Sequence, residues 1–256
     1  MEEMGDEAML SGKVIWITGA LGALGQSAVR MFLQRGASVF ACDIRPLEEA
    51  PDVARLGEEA GSRRFQYMRA DLMNEAEVIA AAERIKAHFG RLDGLYHTVF
   101  ANVWKPVLEL TLSEWELTIR GTLTSAFLAC KSALPLMIAS GGGAVVTVSS
   151  ILGQVVSPGC LAYGAAKAGL NQLTRVIAAD YAAQGIRANV LVPGDFRSQE
   201  ALARQSEREK EMMRLHSWLG RSGSAEEINE AACFLLSDAS SYMTGALVPV
   251  DGGFHQ

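Results

Sequence analysis

Lys13-Val14-Ile15-Trp16-Ile17-Thr18-Gly19-Ala20-Leu21-Gly22-Ala23-Leu24-Gly25 is a short, apolar, β-rich run that ends in closely spaced glycines. A helix-forming stretch from Gln26 to Arg35 follows directly, so the segment reads as strand, tight turn, helix. Glycines let the backbone bend sharply and approach a ligand, while the N–H groups and dipole of the helix start attract an anion. The pyrophosphate of a dinucleotide fits that description, and it implicates Gly19, Leu21, Gly22, Ala23, Leu24 and Gly25. The next apolar run, Ala37 to Cys42, ends at Asp43, close to where a nucleotide-binding unit places the acid that holds an adenosine ribose. A carboxylate there repels a 2′-phosphate, which predicts NAD in preference to NADP.

Further along, Tyr163-Gly164-Ala165-Ala166-Lys167 sets a phenol and an amine four residues apart at the start of an Ala- and Leu-rich, helix-forming stretch. Residues at that spacing share a helix face. An ammonium beside a phenol favours the phenolate, which predicts a tyrosine able to exchange protons with substrate near neutral pH. The spacing arises by chance on many helices. The Gly-rich turn and Asp43 upstream give it meaning, because they supply a cofactor for the pair to work with.

Taken in order, the motifs resemble those of the short-chain dehydrogenase/reductase family in its single-domain form, over nearly the whole chain. They are the turn from Thr18 to Gly25, Asp43, Asp71-Leu72 after a third strand, and Ser149-Ser150 after the strand Ala144 to Val148. The Tyr163/Lys167 pair, Asn189 to Gly194, Thr244-Gly245 and Asp251-Gly252-Gly253 complete the series. The resemblance implies a doubly wound parallel sheet, a Rossmann fold, in one domain over 1–256, with 1–10 a flexible N-terminal extension and about 195–218 a substrate lid. It also implies hydride transfer between nicotinamide and a secondary alcohol or its ketone.

Roles follow the same resemblance. Tyr163 gives or takes the hydroxyl proton, Lys167 lowers its pKa and binds the nicotinamide ribose, and Ser150 holds the substrate oxygen; a serine hydroxyl can donate or accept as the direction requires. Asp71 and Leu72 flank the nucleotide, Pro193 and Gly194 lie against the nicotinamide, and Phe196 and Ser198 bind its carboxamide or nearby phosphate. Trp104, Gln154, Cys160 and Asp195 fall at substrate positions, with Asp195 also suited to capping the following helix. Helices Leu112 to Ile138 and Cys160 to Ala183 correspond to those that pair subunits, so a homotetramer is expected, with a dimer next.

Composition bounds the alternatives. At 256 residues and 49% hydrophobic content, one α/β domain is the expectation, and strands alternate with helices as a parallel sheet requires. Gly141-Gly142-Gly143 reads as a loop between helix and strand. Net charge is −6 with basic residues dispersed among acids, which argues against a nucleic-acid partner. The longest apolar runs look too short to span a bilayer, and Met1 to Glu7 lacks a basic start, so no membrane association and a cytoplasmic location are expected. The four cysteines, Cys42, Cys130, Cys160 and Cys233, and the four histidines, His88, His97, His216 and His255, show no ligand spacing, so neither a metal nor a disulfide framework is expected.

Three features depart from the family pattern. The turn carries Ala23 where close relatives have their middle glycine. His97-Thr98-Val99-Phe100 replaces Asn-Asn-Ala-Gly, and the expectation is that Val99 and Phe100 turn into the core. The helix asparagine that supports a proton-relay water corresponds to Thr122, a fourth catalytic candidate. These departures keep two other readings open: a dinucleotide-binding sensor or scaffold with little turnover, and an NAD-dependent epimerase or dehydratase.

Overall fold

The computed structural model describes residues 9–254. In chain order its elements are β1 (Val14–Thr18), α1 (Ala23–Gln34), β2 (Ser38–Asp43), α2 (Pro51–Ala60), β3 (Phe65–Arg69), α3 (Glu75–Phe89) and β4 (Gly94–His97). The second half adds α4 (Leu112–Ile119), α5 (Ser125–Ala139), β5 (Gly143–Val148), α6 (Leu161–Tyr181), β6 (Ile186–Pro193) and β7 (Phe196–Arg197). It ends with α7 (Gln199–Ala203), α8 (Glu207–His216), β8 (Gly223–Ser224), α9 (Ala225–Leu236) and β9 (Leu247–Val250).

Seven strands form one parallel sheet in the order β3-β2-β1-β4-β5-β6-β9, a doubly wound α/β fold. Alternation along β1 explains the layers: Ile15 and Ile17 enter the core under α1 and α9, while Val14 and Trp16 enter the core under α3 and α5. Such a strand is apolar throughout because both its faces are covered. The sheet reverses direction between β1 and β4, and the crevice beyond the strand ends at that point is where open α/β sheets bind ligands. Thr18, Asp43, His97, Val148 and Pro193 all terminate strands on that edge.

Several boundaries differ from the sequence reading. The first helix starts at Ala23, not Gln26, so the last glycine of the turn already lies inside it. A methyl on Gly25 would run into the Gly19 carbonyl oxygen, which is why only glycine permits the turn to fold back onto the helix. The stretch Leu112 to Ile138 is interrupted by a π-turn at Arg120–Thr124, and 199–218 contains two short helices. Residues 1–8 of the expected N-terminal extension lie outside the described residues; Leu10, at its end, is buried and its N–H donates to Arg35 O (2.9 Å).

Against expectation, the 28-residue helical span Leu112–Ala139 is long and apolar enough to cross a bilayer by length and composition. Half of its most apolar window is buried inside the fold, where Leu128, Ala129, Ala133, Leu134 and Met137 join the core beside α3. Its hydropathy is accounted for by sheet packing.

Candidate active site

A cleft of about 650 Å³ runs along the strand ends at the sheet reversal. The β1–α1 turn forms its floor through Gly19, Gly22, Ala23, Leu24 and Gly25. Gly22 is the N-cap of α1 and offers no side-chain cap, leaving the first-turn N–H groups for an anion. Leu21 does not line this cleft: its side chain is buried in the core, and its N–H donates to Asp43 Oδ2 (2.9 Å). Its part is therefore to tie the turn to the carboxylate.

At one end stand Asp43, Ile44, Arg45, Asp71 and Leu72. Asp43 is buried, and its Oδ1 accepts from the N–H (3.1 Å) and Nε (3.2 Å) of Arg45. Asp71 Oδ1 accepts from Met73 N–H (2.9 Å), fixing the turn after β3. At the other end are Ser150, Tyr163, Lys167, Pro193, Gly194, Asp195 and Phe196. The uncapped helix start, a ribose-height acid and this polar cluster together fit a bound dinucleotide. Among the described residues no group of three His, Cys, Asp or Glu side chains is placed to hold a metal ion.

Tyr163 and Lys167 meet as the helix spacing predicts, with Lys167 Nζ 5.4 Å from the phenol ring centre. The predicted electrostatics do not hold. Burial pushes the Tyr163 phenol up to about 12, opposed by a hydrogen bond from Ser150 and reinforced by Cys160. Burial also lowers Lys167 to about 7, so the amine is only part-charged at neutral pH and pulls weakly on the phenol. Lys167 Nζ donates to Val148 O (2.7 Å). As placed, Tyr163 is a neutral phenol sharing the cleft wall with Ser150.

The loop after β4 departs most from expectation. Val99 packs against the core as predicted. Phe100 does not: it is 59% exposed and lines the cleft, edge-on to Tyr163 (ring centres 6.0 Å apart, 71°) and 5.8 Å from Lys167 Nζ. Its neighbours explain this, since Thr98 and Ala101 are both pinned to the fold and Val99 already fills the inward position. Thr98 Oγ1 donates to Thr18 O (2.7 Å), and Thr122 Oγ1 accepts from Ala101 N–H (3.1 Å) and donates to Ala101 O (2.9 Å). Thr122 is thus placed outside the cleft lining, as a buried clamp on the loop.

Other predicted positions are also not brought to the cleft. The Ser198 hydroxyl caps α7, accepting from Ala201 N–H (3.3 Å). Trp104 and Gln154 are exposed, and Cys160 is buried beside Lys105 in an isolated bridge. Asp195 lines the cleft but caps no helix; its carboxylate accepts from Ser222 Oγ and from Arg197 Nε (3.4 Å). Residues not foreseen include Ala70, Met73, Ala101 and Gly121. The signal that could have found Ala70 is the position directly after a strand.

Beneath the loop, His97 is fully buried, with Nδ1 2.9 Å from Thr18 Oγ1 and Nε2 3.4 Å from Ser125 Oγ. Ser125 Oγ donates to Gly121 O (2.8 Å), so it accepts from Nε2–H and the Thr18 hydroxyl donates to Nδ1. Burial, with Lys167 adding to it, lowers His97 from 6.5 to about 3.

Comparison with known proteins agrees with this geometry. A family model described as enoyl-(acyl carrier protein) reductase matches residues 19–255. The cis-4-hydroxycyclohexanecarboxylate dehydrogenase of Sinomonas cyclohexanicum is 40% identical over 243 residues, covering 94% of this chain and 96% of that one. A 2,5-dichloro-2,5-cyclohexadiene-1,4-diol dehydrogenase of Sphingobium indicum is 35% identical over 250 residues, covering 96% and 98%. A short-chain type dehydrogenase/reductase from Mycobacterium ulcerans superposes with a TM-score of 0.87 at 28% identity, covering 95% of this chain and 90% of that one.

Proposed function

The chain belongs to the short-chain dehydrogenase/reductase family, and on that premise we propose that it interconverts a ring-borne secondary alcohol and its ketone using NAD. The observation that carries this reading is that Ser150, Tyr163 and, one helix turn on, Lys167 line the same cleft as the Gly-rich turn and Asp43. Bound NAD supplies the hydride acceptor, and NADH the donor in the reverse direction. Ser150 orients the substrate oxygen. Tyr163, protonated at neutral pH, hands its proton to a carbonyl; in reverse it first loses that proton to solvent, and its phenolate then takes the alcohol's proton as hydride leaves the carbon.

A cyclic substrate is supported by the walls around Tyr163, where Phe100, Val148, Pro193 and Phe196 are apolar, and by the alicyclic alcohols named for two relatives. The segment from 195 to 218 is assigned as the lid, with Met212, Leu215 and Trp218 exposed on it. Preference for NAD rests on Asp43. Self-association, first as a tetramer and next as a dimer, is supported by exposed Leu117 and Phe127 on α4 and α5 and Val176 on α6. A cytoplasmic location is supported by the burial of all four cysteines, Cys42, Cys130, Cys160 and Cys233.

A panel of cyclic and open-chain secondary alcohols, assayed with NAD and NADP by nicotinamide absorbance, tests the reading. Cyclic alcohols with NAD are expected to react fastest. Dinucleotide binding without turnover of any alcohol or ketone would refute it in favour of a sensor.

A further inference from the structure

We propose that the Phe100 side chain is a built-in plug of the cofactor site, resting in the free protein on ground that the nicotinamide ribose must take, and cleared by side-chain rotation alone. The proposal rests on the dinucleotide reading above and adds to it a residue that sets cofactor affinity. Three observations carry it.

Position comes first. Phe100 stands in the cleft at the polar end, with its ring centre 6.0 Å from that of Tyr163 and 5.8 Å from Lys167 Nζ. An ammonium has three donors, and Val148 O takes one of them at 2.7 Å. A ribose hydroxyl approaching another must share that space with the phenyl ring.

The second observation is what holds the ring there. An edge-on aromatic pair and a cation facing an aromatic ring are both attractive, so the plug has a resting place on Tyr163 and Lys167. Because Phe100 is 59% exposed, little core packing opposes its departure.

Third, the backbone cannot carry the ring away. Thr98 Oγ1 donates to Thr18 O on one side, and Thr122 Oγ1 grips both polar groups of Ala101 on the other. A methyl on Gly121 would meet Ala101 Cβ at 2.5 Å, so this flank is tightly packed. Rotation about the Phe100 side-chain bonds is the motion left open.

Phe100→Ala tests the plug with two readouts on the full-length protein. Calorimetric titration with NAD and NADP is expected to show binding tighter than wild type by roughly three- to tenfold, the size of one aromatic pair. Acetylation of Lys167 by acetic anhydride, followed by peptide mass spectrometry without cofactor, is expected to be faster in the variant. Equal or weaker dinucleotide binding, or an unchanged Lys167 labelling rate, would overturn the plug while leaving the cofactor reading standing. Failure of both proteins to bind either dinucleotide would sink the cofactor reading and the plug with it.

Discussion

Acidification should unfold this protein through a residue that touches no substrate. His97 is held neutral inside the sheet between Thr18 and Ser125, and burial lowers it from 6.5 to about 3. The unfolded chain therefore takes up a proton near pH 6.5 that the folded chain refuses. Stability linked to His97 is complete above pH 6.5 and falls by about 1.4 kcal/mol per unit as pH drops toward 3. At pH 5 the loss is about 2 kcal/mol, a substantial part of the ~5–15 kcal/mol that holds an ordinary domain together. The assay is urea unfolding between pH 7 and pH 5 for wild type and His97→Asn, which places at this position the residue of the family pattern. Every other titrating group is common to both proteins, so the difference in slope isolates His97. The stability gap between them should shift by about 2 kcal/mol in favour of the variant on going to pH 5. A gap that stays constant would refute the reasoning.

Asp43→Ala should weaken NAD binding, since it removes the ribose acceptor and the tie to Leu21 N–H, and should narrow the NAD-over-NADP preference by roughly tenfold; titration of both dinucleotides checks this, and tighter NADP binding by wild type would contradict it. Thr122→Ala leaves both polar groups of Ala101 without their partner, which should cost about 1–3 kcal/mol in urea unfolding; an unchanged midpoint would show that the clamp is dispensable.

Strands β1, β2 and β5 were legible in the sequence because both faces of a parallel sheet are covered, so their residues are apolar without interruption. The Gly-rich turn, Asp43 and the Tyr163/Lys167 pair were legible because local rules govern them: backbone freedom, strand-end position and helix spacing. Phe100 was not. Its placement depends on Thr18 and Thr122, distant in sequence, pinning the residues on either side of it. The Tyr163 phenol was misread for a related reason. Its pKa follows the depth at which α6 lies on the sheet, a tertiary quantity that outweighs the neighbouring amine. Ser198, Cys160 and Trp104 were placed by resemblance, and the structure sets them outside the cleft lining, in loops and in 195–218, where chain direction follows no period. The hydropathy of Leu112–Ala139 was masked by Lys131 and Arg120, which break up its apolar runs.

The central claim is that Tyr163 moves a proton while a bound nicotinamide exchanges hydride with a secondary alcohol. Steady-state turnover of the best alcohol from the panel, measured beside NAD titration for wild type and Tyr163→Phe, tests it most directly. Loss of the hydroxyl alone should lower kcat by about 10²–10⁴-fold while NAD affinity stays within a factor of about two. Turnover preserved in Tyr163→Phe would contradict the account.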